Sequence, residues 1–126
     1  MYHLSLVALG GALGASCRHL VNAGALRLFG PSFPVGTLAV NVVGGLLMGL
    51  LAGFLAFKYS GGGQGIRLFL GTGILGGFTT FSAFSLDAVL LWERGQPAAA
   101  LAYVLGSVVL SIVALLAGLA LAKALA

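Results

Sequence analysis

Apolar residues in this chain collect in four long stretches separated by short breaks of Gly, Pro and charged residues, with little regular alternation of polar positions inside them. A continuous apolar run of about 20 residues matches a membrane-crossing helix, so the pattern predicts four transmembrane helices over about 3–23, 33–57, 66–92 and 97–123. They form a single four-helix membrane domain that takes up 1–126. The first break is expected over Gly24 to Pro34, with Arg27, Gly30 and Pro31 inside it. Pro34 and Pro97 suit the first turn of the helices that follow, where the missing N–H has no helical partner in any case. Lys58 to Gly65 (KYSGGGQG) reads as a flexible connection, and Trp92, beside Glu93 and Arg94, suits a membrane interface. No charged segment followed by a small-residue cleavage site opens the chain, so its first apolar stretch reads as a retained span.

Composition sharpens this picture. Of 126 residues, 60% are apolar and 6% are charged, against about 25% charged in an ordinary soluble domain. That fraction cannot cover a water-facing surface, which excludes a soluble enzyme. The net charge of +4 comes from six basic residues spread singly along the chain. They make no phosphate-binding patch, so nucleic acid is not a partner. Lys58, Arg67 and Lys123 fall on one side of a four-span topology, and Arg27 and Arg94, with Arg18 near the end of the first span, on the other. A positive-inside preference needs an imbalance, and here the counts nearly match. Insertion in both orientations and an antiparallel dual-topology homodimer follow as the simplest construction, because one four-helix subunit has little interior. The 21 glycines, mostly within apolar runs, point to helices that pack backbone to backbone in lipid.

Candidate chemistry sits in the second, third and fourth spans. Asn41, Gly45, Gly49 and Gly53 recur every four residues along one helix face. An amide at that depth either bonds a neighbouring helix or faces a polar pathway. In the third span, Gly76 and Gly77 followed by Thr79 and Thr80 are weak helix formers near the middle of the segment. A helix broken there would release carbonyls and N–H groups able to hold an ion, and the alternative is a kink that fits a neighbour. Gly71, Gly73 and Gly76 match G-x-G-x-x-G literally, but without the preceding strand and βαβ unit of a dinucleotide site. Phe81 and Phe84 share a helix face, with Thr80, Ser82 and Ser85 beside them, and aromatic edges carry partial positive charge that can face an anion. Tyr103, Ser107 and Ser111 form a hydroxyl stripe on the fourth span, although such hydroxyls can also bond the carbonyl one turn back. Arg18 can anchor at the interface or draw anions into a vestibule. The single Cys17 matches no metal spacing, and no nucleophile with its base is present.

Gly76-Gly-Phe-Thr-Thr-Phe-Ser-Ala-Phe-Ser85, with Gly36-Thr-Leu-Ala-Val-Asn41 and Gly11-Ala-Leu-Gly-Ala-Ser-Cys-Arg18, strongly resembles the Fluc (CrcB) family of fluoride channels over essentially the whole chain. The resemblance implies a multi-pass protein of the prokaryotic plasma (inner) membrane that exports cytoplasmic fluoride passively and confers fluoride resistance. It also implies an antiparallel homodimer with two pores. By the same resemblance, Asn41, Thr80, Phe81, Ser82, Phe84, Tyr103 and Ser107 line the fluoride path. A structural Na+ at the dimer centre is held by the backbone carbonyls of Gly76 and Thr79. Ala83 stands where relatives often carry a hydroxyl, which removes one partner from the track. The rival is a small dual-topology proton-coupled multidrug or guanidinium exporter; it needs a carboxylate in the membrane, usually in the first span, and Asp87 and Glu93 both lie towards the end of the third.

Overall fold

The computed structural model describes residues 1–59 and 62–125; Ser60 and Gly61 of the expected flexible connection, and Ala126, lie outside the described residues. The protein is all-helical, with no strand among the described residues, and four helical stretches are long and apolar enough to cross a membrane. α1 spans Tyr2–Phe29 and α2 spans Val35–Lys58. The third stretch begins with a continuous rod over 64–78, α3, in which Arg67–Leu75 is wound as a π-helix. Thr79 and Thr80 then take extended backbone angles, φ −84° and ψ 158°, and φ −153° and ψ 125°. α4 spans Phe81–Glu93 and α5 spans Pro97–Leu125.

α1 runs six residues further than its polar break suggests. Gly24 has open space around it, and one glycine in a helix costs only about 1 kcal/mol relative to Ala, so the helix passes through. It stops at Gly30, whose φ of 75° turns the chain while its N–H donates to the Leu26 carbonyl, and Pro31 follows. Gly95, with φ 77°, makes the corresponding turn before Pro97 opens α5.

Glycine sets the helix packing. Along α2, β-carbons on Gly45 and Gly53 would lie 2.6 Å from the Ser111 carbonyl oxygen and the Ala122 Cβ, and one on Gly49 would collide with the Leu115 carbonyl. The contacts advance together along both helices, so α2 and α5 run in the same direction, backbone against backbone. α1 and α3 form the second close pair. A β-carbon on Gly10 would fall 2.9 Å from the Gly73 Cα, and one on Gly77 2.6 Å from the Gly11 carbonyl oxygen. With neighbours in sequence antiparallel, the ends carrying Lys58, Arg67 and Lys123 lie together, and Arg94 reaches the Pro31 carbonyl at the opposite end.

The interior is small: Val40, Leu91 and Tyr103 are its largest fully buried side chains. Leu4, Leu13, Leu20, Phe54, Leu105 and Leu116 are among many large apolar residues left exposed on the helices. In water such a surface would drive aggregation. In a bilayer it is the face that lipid or a second subunit covers.

Candidate functional site: a polar cleft beside Thr79 and Thr80

The two extended residues interrupt helical hydrogen bonding, and side chains from two helices, together with those of the two threonines themselves, take up the released groups. Asn41, on α2, bonds both polar groups of one residue: the Thr80 N–H donates to Asn41 Oδ1 at 2.8 Å, and Asn41 Nδ2 donates to the Thr80 carbonyl at 3.0 Å. This fixes the orientation of the amide, since a flip would set donor against donor. Thr80 caps α4, with its Oγ1 accepting the Ala83 N–H at 3.2 Å. Arg18, on α1, donates from Nε to the Gly77 carbonyl at 3.1 Å. Thr79 turns its hydroxyl back onto the Leu75 carbonyl at 2.9 Å.

A cleft of about 370 Å³ opens beside this junction, lined by Asn41, Thr79, Thr80, Phe81, Phe84, Ser107, Val108, Ser111 and Ile112. The Oγ atoms of Ser107 and Ser111 are buried and have no hydrogen-bond partner among the described residues. An unpaired buried hydroxyl costs about 1–3 kcal/mol, and each of these two groups can either donate or accept a hydrogen bond. Phe81 and Phe84 meet edge to face, ring centroids 5.5 Å apart. Phe81 is 71% exposed, although it borders the cleft. Phe84 packs on Tyr103 at 5.2 Å, and Phe33 closes the other side of Tyr103 at 5.5 Å.

Of the residues singled out in the sequence, Asn41, Thr80, Phe81, Phe84 and Ser107 are brought to this cleft. Tyr103 and Ser82 are not among its lining residues. The Tyr103 hydroxyl donates to Asp87 Oδ2 at 3.2 Å, and Ser82 is exposed, its Oγ 3.4 Å from Thr80 Oγ1. Ser111, noted only as part of a stripe, joins the lining, and Asp87 gains a role as the acceptor for Tyr103. A second cavity, of about 550 Å³, lies towards the Arg94 end, with Asn22, Thr37 and Asp87 on its walls.

The carbonyls of Gly76 and Thr79 can be judged as cation ligands from their hydrogen bonding. In an α-helix each carbonyl accepts from the N–H four residues on. For Gly76 that donor is the Thr80 N–H, which bonds Asn41 instead; for Thr79 it is the Ala83 N–H, which bonds Thr80 Oγ1. Between them, the Gly77 carbonyl is taken by Arg18. Gly76 and Thr79 thus keep free acceptor capacity, and neutral backbone oxygens suit a hard cation. Among the described residues no three His, Cys, Asp or Glu side chains come together.

Four apolar helices packed on glycine around a small, partly polar cleft define the class: a small multi-pass helical membrane protein. Within that class the chain belongs to the family described as CrcB-like protein, Camphor Resistance (CrcB), which it matches over residues 5–119. It is 61% identical to a protein of Chelativorans sp. named fluoride-specific ion channel FluC, over 99% of both chains. A protein of the same name from Mesorhizobium japonicum is 55% identical, again over 99% of both chains. Another, from Cereibacter sphaeroides, is 64% identical over 90% of this chain and 89% of the relative.

Proposed function

We propose that this protein is a fluoride-specific channel of the bacterial inner membrane that lets cytoplasmic fluoride leave passively, down its electrochemical gradient, and so confers fluoride resistance. It is a channel and not an enzyme. The observation that carries the reading is the cleft with two unpaired serine hydroxyls beside an aromatic pair, in a chain closely similar to proteins named fluoride-specific ion channels.

Fluoride is strongly hydrated, and a buried charge without partners is prohibitively costly. A narrow path must therefore replace water with donors. Ser107 offers an uncommitted O–H, Asn41 retains a second amide hydrogen beyond the one it gives to Thr80, and Thr80 and Ser82 add hydroxyls. Phe81 and Phe84 present ring edges, whose partial positive charge faces an anion without the tight hold of a full cation. Tyr103 supports Phe84 from behind and continues the polar line towards Asp87. Arg18 lies close to the junction and can attract anions into a vestibule.

The working unit is an antiparallel homodimer in the bilayer, with each third span a helix broken at mid-membrane at Thr79 and Thr80. The exposure of Phe81 and the near-even distribution of positive residues support this unit. A Na+ ion at its centre would be held by the Gly76 and Thr79 carbonyls and would supply a fixed positive charge that favours anions nearby. Expression in a bacterial strain lacking its own fluoride exporter tests the function. Growth on fluoride is restored if the reading holds, and no restoration despite membrane-inserted protein would overturn it.

A further inference from the structure

The cleft and the candidate cation cradle share side chains. Asn41 borders the cleft, yet its Oδ1 takes the Thr80 N–H that a continuous helix would give to the Gly76 carbonyl. Thr80 also borders the cleft, and its Oγ1 takes the Ala83 N–H that would otherwise serve the Thr79 carbonyl. Each side chain takes up the amide that a continuous helix would give to one of these two carbonyls. Three neighbouring carbonyls are occupied: that of Thr80 by Asn41 Nδ2, that of Gly77 by Arg18 and that of Leu75 by the Thr79 N–H and hydroxyl.

We infer that Asn41 and Thr80 are positioning residues for the cation site, which by diverting two backbone donors expose the Gly76 and Thr79 carbonyls and so set Na+ affinity from within the anion path. The inference rests on the proposed Na+ site. Without the Asn41 acceptor the Thr80 N–H loses its partner, and a rewinding of Thr79 into the helix that returned this N–H to Gly76 would close that oxygen to a cation. Asn41→Asp keeps the acceptor, replaces the donor to the Thr80 carbonyl by a second oxygen and adds a negative charge. Asn41→Ala loses both, and Thr80→Val loses the cap on Ala83. The three variants therefore separate exposing a carbonyl from lining an anion path.

The experiment measures thermal unfolding of the purified protein while Na+ replaces a large organic cation at constant ionic strength, with fluoride efflux from liposomes followed in parallel. The wild type is expected to gain stability saturably with Na+. Asn41→Ala and Thr80→Val are expected to raise the Na+ midpoint about tenfold, the equivalent of roughly one lost polar contact. Asn41→Asp is expected to keep the midpoint at or below that of the wild type, while its negative charge lowers fluoride efflux. Should Asn41→Ala fail to fold, the Asp and Val variants still give opposite predictions. Reduced efflux in Asn41→Ala and Asn41→Asp with both midpoints unchanged would overturn the inference and leave Asn41 as a lining residue only. A wild type that conducts fluoride but gains no stability from Na+ would remove the cation site and this inference together, leaving the fluoride reading intact.

Discussion

Phe81 and Phe84 carry a sharp prediction, because both border the cleft while neither ring belongs to the tightest helix contacts. Changing either to Ile keeps an apolar side chain but removes the ring edge. Fluoride efflux should fall by about tenfold or more, since losing about 1.4 kcal/mol of stabilisation in a narrow path slows passage tenfold. The dimer should persist on size exclusion, and unchanged efflux would remove the pair from the path. The grouping was legible in part: the lone amide Asn41, the phenylalanines three apart and Ser107 of the hydroxyl stripe line one cleft. The partners were not legible. Asn41 bonds the backbone of Thr80 and Arg18 that of Gly77, and a backbone group leaves no trace in the sequence. Tyr103 and Asp87 meet across the turn between α4 and α5, a register fixed by Gly95 and Pro97 and not by local spacing.

At the scale of elements, the glycines do what small residues do in lipid, where helix association depends on close packing. Gly14 of α1 lies so near the Ile74 carbonyl that an added β-carbon would overlap it, and Gly49 stands in the same relation to Leu115. Gly14→Val or Gly49→Val should force the paired helices apart and cost at least about 1–3 kcal/mol by overpacking. The measurable result is a lower unfolding temperature in detergent and a reduced yield of folded protein. Gly24→Ala, in open space, should cost nothing and add slight helix stability. The four-residue glycine series on α2 announced its contact face, although Asn41 at its head turns to Thr80 while the glycines meet α5. The end of α1 was misplaced for a physical reason. Gly and Asn residues near 22–24 resemble a stop, but a helix ends where the backbone turns left-handed, and that happens at Gly30.

For the whole molecule, the decisive features are an interior too small to enclose a pathway and a surface apolar on every helix. If both orientations are needed, biasing one population should silence it. Adding Gln96→Lys with Ala98→Lys loads one end with positive charge, and Gly62→Lys with Gln64→Lys loads the other. Each pair alone is expected to abolish fluoride resistance, and coexpression of the two is expected to restore it. Full resistance from a single biased variant would argue against an antiparallel unit. Class and span number were readable from the hydrophobic pattern because a bilayer imposes length and apolarity directly. The assembly expected from the charge counts, the small interior and the resemblance leaves no mark in the hydrophobic pattern, since a subunit interface in lipid shares its composition with the lipid-facing surface.

The most direct test of fluoride-selective conduction is ion release from liposomes containing the purified protein and loaded with fluoride and chloride, started by a potassium ionophore that shunts the charge. Rapid release of fluoride, with chloride retained, is the predicted result. Equal release of both ions, or release of neither from liposomes that contain folded protein, would contradict it.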